Sequence, residues 1–192
     1  MAASPQALLS CALFSVLLLV PHACVASTLQ ERCRSYADDD EPSYDFCLRT
    51  LQSDSRASAA DERGLFAIAA RAGQARAKAT EAKIEARLAA ETAAARRDGL
   101  AACARVFATA AHRLGAAARD VTHDVGAGGL RWAQRDLSHA FNAPDRCDGA
   151  FAAAGQQGSP LSANDREIDK VLELAASILP VPPSPSATTR KD

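Results

Sequence analysis

Between Asp98 and Val121, seven residues recur at alternating steps of three and four: Leu100, Cys103, Phe107, Ala110, Leu114, Ala117 and Val121. That spacing makes one continuous apolar seam on a helix. Cys103 lies within the seam, so the same helix carries a packing face and a covalent anchor. Asp98, just before Gly99, offers an oxygen to the first free amides, and the helix is expected to open there. The rest of the chain reads as elements that pack on this helix or are tied to it.

The 192 residues suffice for one domain with a real core. Residues 1–26 are set apart from it. Ala7 to Val20 is almost wholly apolar and Ala26-Ser27 follows, the pattern of a secretory leader too short to span a bilayer, with cleavage expected after Ala26. No later stretch is apolar enough to cross a membrane, so a soluble, exported, monomeric protein is expected. Cys11 and Cys24 leave with the leader, and Cys33, Cys47, Cys103 and Cys147 remain. An even number in an exported chain reads as disulfides. Three pairings are open. The nearest-neighbour one closes a short loop and an intermediate one, contributing about 3 and 4 kcal/mol on the loop-entropy model.

Alanine dominates and β-branched and aromatic residues are sparse, which favours helices over strands. Thr28 to Ala37 reads as a short helix carrying Cys33. Asp38 to Ser43, with Pro42, reads as a turn, and Tyr44 to Leu51 as a second short helix carrying Cys47. Ser58-Ala-Ala-Asp61 then opens a long helix whose seam is Leu65, Ile68, Ala72, Ala75, Ala79, Ala82, Ala86 and Ala89, with Ile84 and Leu88 off it. This helix fades near Thr92, and Arg96 to Gly99 turns into the anchor helix. Gly126, Gly128 and Gly129 close the anchor region. Leu130 to Phe141 forms the next helix, stopped by Pro144. Asp145 to Gly158 is expected as a loop holding Cys147. Ser162 caps a last helix with Ile168, Val171, Leu172, Ala175 and Ile178 on its apolar face. The sum is an all-α chain: an antiparallel up-down four-helix bundle at 58–179 behind a helical hairpin at 28–52. A polar, proline-rich tail at 180–192, expected to be disordered, follows.

At this point the residues resemble the plant invertase and pectin methylesterase inhibitor family over Thr28 to Leu179. The matching pieces are Cys33 and Cys47 before Leu48-Arg-Thr-Leu51, Ser53-Asp-Ser-Arg-Ala-Ser58 before a long helix, and Asp98-Gly-Leu-Ala-Ala-Cys103. Ser138-His-Ala-Phe141, Cys147-Asp-Gly-Ala-Phe151 and Ser159-Pro-Leu-Ser-Ala-Asn164 follow in order. The resemblance implies a four-helix bundle behind a hairpin, with Cys33 bridged to Cys47 and Cys103 to Cys147. It also implies an extracellular protein of the cell wall that inhibits a carbohydrate-active enzyme by a one-to-one complex, with no chemistry or cofactor of its own.

Ser138-His-Ala-Phe-Asn142 and Ser177-Ile-Leu-Pro180 resemble the pectin methylesterase inhibitors. Acid invertase is the alternative partner, in the cell wall or the vacuole. Leu130-Arg131-Trp132 falls near the place where invertase inhibitors carry a proline-basic-aromatic tripeptide, without its proline. The family's threonine before the last cysteine is replaced by Arg146, and Asp38 to Glu41 lengthens the hairpin.

Net charge is −1, which argues against general nucleic-acid binding. The charge is nevertheless uneven, with ten Lys or Arg against four Asp or Glu between Arg71 and Arg119. Arg76, Lys83 and Arg87 on the first long helix, Arg105 and Arg113 on the second, Arg131 and Trp132, and Arg146 are therefore the candidate contacts for an acidic enzyme cleft. Trp132 is equally readable as an interface anchor or as core. His112, His123 and His139 form no close metal-ligand spacing, and a pH-dependent complex is the role expected of them. No catalytic set and no phosphate loop stands out. A helical carrier of small apolar ligands is the distant alternative, and it would require a cavity.

Overall fold

The computed structural model describes residues 28–124, 126–156 and 162–181. The expected leader lies outside these residues, as does the tail from 182 onward. The chain is all-helical over the described residues, and no strand forms among them. In order the helices are α1 (Thr28–Ala37), α2 (Glu41–Gln52), a single 3-10 turn (Ala57–Ala59), α3 (Glu62–Ala90), α4 (Ala94–His123), α5 (Ala127–Phe141), α6 (Ala143–Ala153) and α7 (Ser162–Ile178).

The hairpin turn is tighter than its acidic run suggests. Asp38 and Asp39 adopt left-handed backbone, φ 46° and 68°, a region that aspartate tolerates better than most residues. Asp40 then caps α2, its carboxylate accepting from the Ser43 N–H at 2.9 Å. So α2 begins three residues before the expected Tyr44. Pro42 falls in the first turn, where a missing N–H costs nothing, and Glu41 suits the positive end of the helix. Cys33 and Cys47 are fully buried and bridged, Cα atoms 5.5 Å apart.

Two boundaries of the long helices also differ from the sequence reading. Asp61, not Ser58, caps α3, accepting from the Gly64 N–H at 2.8 Å, and Ser58 sits in the 3-10 turn before it. The second concerns α4, which starts at Ala94 and not at Asp98. Glu91 holds the corner between α3 and α4: its carboxylate accepts from the Thr92 and Ala93 N–H groups, both at 3.0 Å, and from Arg96 at 2.8 Å. Asp98 and Gly99 are inside the helix. Gly99 is buried against the Phe151 ring, 3.4 Å from where a Cβ would stand.

The bundle is built from α3, α4, α5 and α7, with α3 against α4 as the most extensive pairing, and α6 on the flank of α4. All seven seam residues of α4 are buried, and so are Ile168, Val171, Leu172, Ala175 and Ile178 on α7. Phe66, Phe107 and Phe151 are the largest side chains in the core. Arg63, at the start of α3, donates to the Val121 and Asp124 carbonyls, both at 3.1 Å, and so satisfies the end of α4. The corner from α4 into α5 turns on Gly129, where a Cβ would stand 2.4 Å from the Asp124 carbonyl oxygen and 2.5 Å from that of Asp120.

Two expectations are corrected outright. Over its described residues, 145–156, the expected Asp145–Gly158 loop is largely helix α6, and Pro144 occupies the first turn of that helix; 157 and 158 lie outside the described residues. Cys147 is thus presented from a helix, fully buried and bridged to Cys103, Cα atoms 4.6 Å apart. The second correction is the α3 seam. Leu65 and Ile68 are buried, but Ala75, Ala79, Ala82, Ala86 and Ala89 are exposed. The face that packs is Phe66, Ala69, Ala70, Gly73, Ala77, Thr80 and Ile84. A run of alanines marks no preferred side, because each buries so little area. The bulky Phe66 and Ile84 therefore decide which face turns inward.

Candidate docking surface

The candidate contact residues come from four helices. Arg76 on α3 is directed to Glu167 of α7, with which it forms an ion pair. Lys83 and Arg87 are exposed on the C-terminal half of α3. Arg105 is exposed on α4, and Arg146 on α6 next to the buried Cys147. Arg113 on α4 donates to Asp136 of α5 at 2.8 Å. Asp136 is only 6% exposed, so this bond satisfies a carboxylate that would otherwise be buried without a partner. Arg76 and Arg113 thus lean toward different neighbours, and the basic residues of α3 and α4 do not converge on one spot.

Convergence occurs on α5. Its inner side buries Leu130, Ala133, Leu137 and Ala140. Its outer side shows Arg131, Arg135 and His139, with Trp132 55% exposed. The Arg135 guanidinium lies over the Trp132 ring, 5.4 Å from its centroid, a cation–π contact that holds an otherwise loose indole. Trp132 is therefore surface and not core, which resolves the ambiguity left by the sequence. Phe141, at the other end, is 37% exposed beside a groove shared with Ala176 and Leu179 of α7. Arg135, absent from the sequence-derived candidates, was legible there as the residue four positions after Arg131.

The electrostatics away from α5 are mostly local. Asp54 is held well below the usual carboxylate range by hydrogen bonds from the Arg56 side chain and backbone N–H. Glu91 is lowered by the corner amides and Arg96. Asp169 on α7 is raised, first by burial and then by Glu173 and Asp145. Tyr36 is raised by burial and by Glu173 and Asp40. Acidic groups of the hairpin, α6 and α7 thus lie close enough to influence one another. His112, His123 and His139 are all exposed. Among the described residues, no three His, Cys, Asp or Glu side chains come together as a metal site.

A profile of the plant invertase/pectin methylesterase inhibitor family matches residues 27–178. The chain belongs to that family. Its hairpin, bundle and two bridges all fall within the matched span, which ends at the last residue of α7. The family is one of inhibitors, and its description names two kinds of target enzyme. A search of curated proteins returns no match. No helix among the described residues is long and apolar enough to cross a membrane.

Proposed function

We propose that this chain inhibits pectin methylesterase in the plant cell wall, as a monomer that forms a one-to-one complex and covers the enzyme's active-site cleft. The observation that carries the reading is the outer side of α5: an exposed tryptophan held by one arginine and flanked by another, on a helix whose opposite side is locked into the core. Tryptophan and arginine are the residues that dominate protein interfaces. Arginine also pairs in fork geometry with carboxylates, such as the aspartates that family resemblance places in the target's cleft. Lys83, Arg87, Arg105 and Arg146 add positive charge around the bundle, which speeds encounter with an acidic partner. Two fully buried bridges suit an oxidising compartment, in keeping with export through the 1–26 leader. The inhibitor unit is 27–179.

Adding the purified protein to a plant pectin methylesterase at mildly acidic pH is expected to abolish methanol release. Unchanged release at a molar excess of the protein overturns the reading. One observation favours acid invertase instead, namely that Arg131 and Trp132 stand exposed and adjacent at the start of α5. Sucrose hydrolysis, measured side by side, separates the two. If invertase is the target, Arg131→Ala with Trp132→Ala weakens inhibition of that enzyme.

A further inference from the structure

The outer side of α5 also carries a groove of about 400 Å³, lined by Arg131, Gln134, Arg135, Ser138, His139 and Asn142. Every lining residue is polar, and none is a carboxylate. The one carboxylate within this stretch of α5, Asp136, is buried against Arg113. From Arg131 to Asn142 the helix rises about 16 Å, and the two arginines stand about 6 Å apart along its axis. The groove is open to solvent along its length, so it suits a chain passing through better than a molecule enclosed.

Its chemistry is mixed in an informative way. Arg131 spends its Nε on the Ala127 carbonyl at 3.3 Å, which leaves the two terminal nitrogens of the fork to meet a carboxylate. The Ser138 hydroxyl donates to the Gln134 carbonyl at 2.9 Å, and Asn142 Nδ2 to the Ser138 carbonyl at 3.0 Å. Both side-chain oxygens keep their acceptor capacity, and the Gln134 amide both donates and accepts. Amides and a hydroxyl set between guanidinium groups match a ligand in which hydroxyls alternate with carboxylates. Beside them, the exposed Trp132 offers an indole whose electron-rich face attracts the slightly positive C–H bonds of a sugar ring. A phosphate polymer fits less well, since half of the lining is neutral and the chain as a whole carries a net charge of −1.

We propose that the α5 groove binds an acidic oligosaccharide, a run of uronic-acid sugars whose carboxylates pair with Arg131 and Arg135 while one ring lies on Trp132. The inference does not depend on which enzyme the protein inhibits. Trp132 is the only tryptophan in the chain, so indole fluorescence of the full protein reports on the outer side of α5 beside this groove. Titration with a short oligogalacturonate is expected to give a saturable change that its fully methyl-esterified form does not reproduce. Arg131→Gln with Arg135→Gln is expected to weaken binding roughly tenfold or more, as for loss of charge-assisted hydrogen bonds. Calorimetry supplies a second reading that does not rely on the indole. The proposal falls if neither method detects saturable binding, if the methyl ester binds as well as the acid, or if polyglutamate matches the oligogalacturonate. Should the double variant fail to fold, the comparison of acid with ester on the native protein still decides.

Discussion

Helices α3 and α4 are nearly equal in length, 29 and 30 residues, and both are rich in alanine. Yet one presents its expected seam to the core and the other turns most of it to solvent. In α4 the large residues Leu100, Phe107, Leu114 and Val121 share one line, so periodicity and bulk agree. In α3 they disagree. The alanines from Ala72 to Ala89 keep a regular three-and-four spacing, but Phe66 and Ile84 lie on another line and bury themselves. Within α3 the contrast repeats: Leu65 to Ala70 are buried on every side under the hairpin and its neighbours, while beyond Gly73 a single line enters the core. Periodicity thus shows where a face could form, and bulk decides which face does.

Covalent anchoring marks the largest difference between the two helices, since α4 is bridged and α3 is not. Replacing Cys103 and Cys147 together by serine is expected to cost about 4 kcal/mol in denaturant unfolding, given the 44-residue separation. A loss well under half of that would mean the α4–α6 contact stands on packing alone. Next comes the seam itself. Ala117→Leu forces a large side chain into the closed face of α4 and is expected to cost about 1–3 kcal/mol. Ala82→Leu, on the exposed line of α3, stays within about 0.5 kcal/mol. Equal costs would mean that the α3 face is covered in solution.

The smallest effect concerns α7, the neighbour of α3, where burial and nearby carboxylates raise Asp169. A carboxyl raised in the folded state binds its proton more tightly there than in the unfolded chain. Its favourable contribution is therefore present at acid pH and lost as pH rises through the folded value. Asp169→Asn should then be slightly more stable than the parent at about pH 7, with the advantage gone near about pH 3. Thermal melts across that range read the difference directly, and an advantage that grows on acidification would contradict the assigned cause.

Much of the fold was legible because its strongest signals were large and unambiguous. The α4 seam, the apolar face of α7 and the extent of α1 all follow from spacing and bulk. What escaped was decided by contacts distant in sequence. Gly99 reads as a helix start until Phe151 is seen against it, and Pro144 reads as a stop until the following helix is seen to begin there. Of the surface candidates, Arg113 and Arg76 proved committed to partners on neighbouring helices, Asp136 and Glu167, which only the fold brings near. Trp132 could not be placed from sequence, because its position off the Leu130–Leu137 line fits a surface role as well as contact with an adjacent helix.

The α4–α5 corner has a consequence for everything α5 displays. At Gly129 the main chain of one helix meets the carbonyls of the other with no room for a methyl group. Side chains can swap rotamers; main-chain atoms in contact cannot. The bearing of α5 is therefore written into the polypeptide backbone, and its outward residues can diversify freely without the platform beneath them changing its aim.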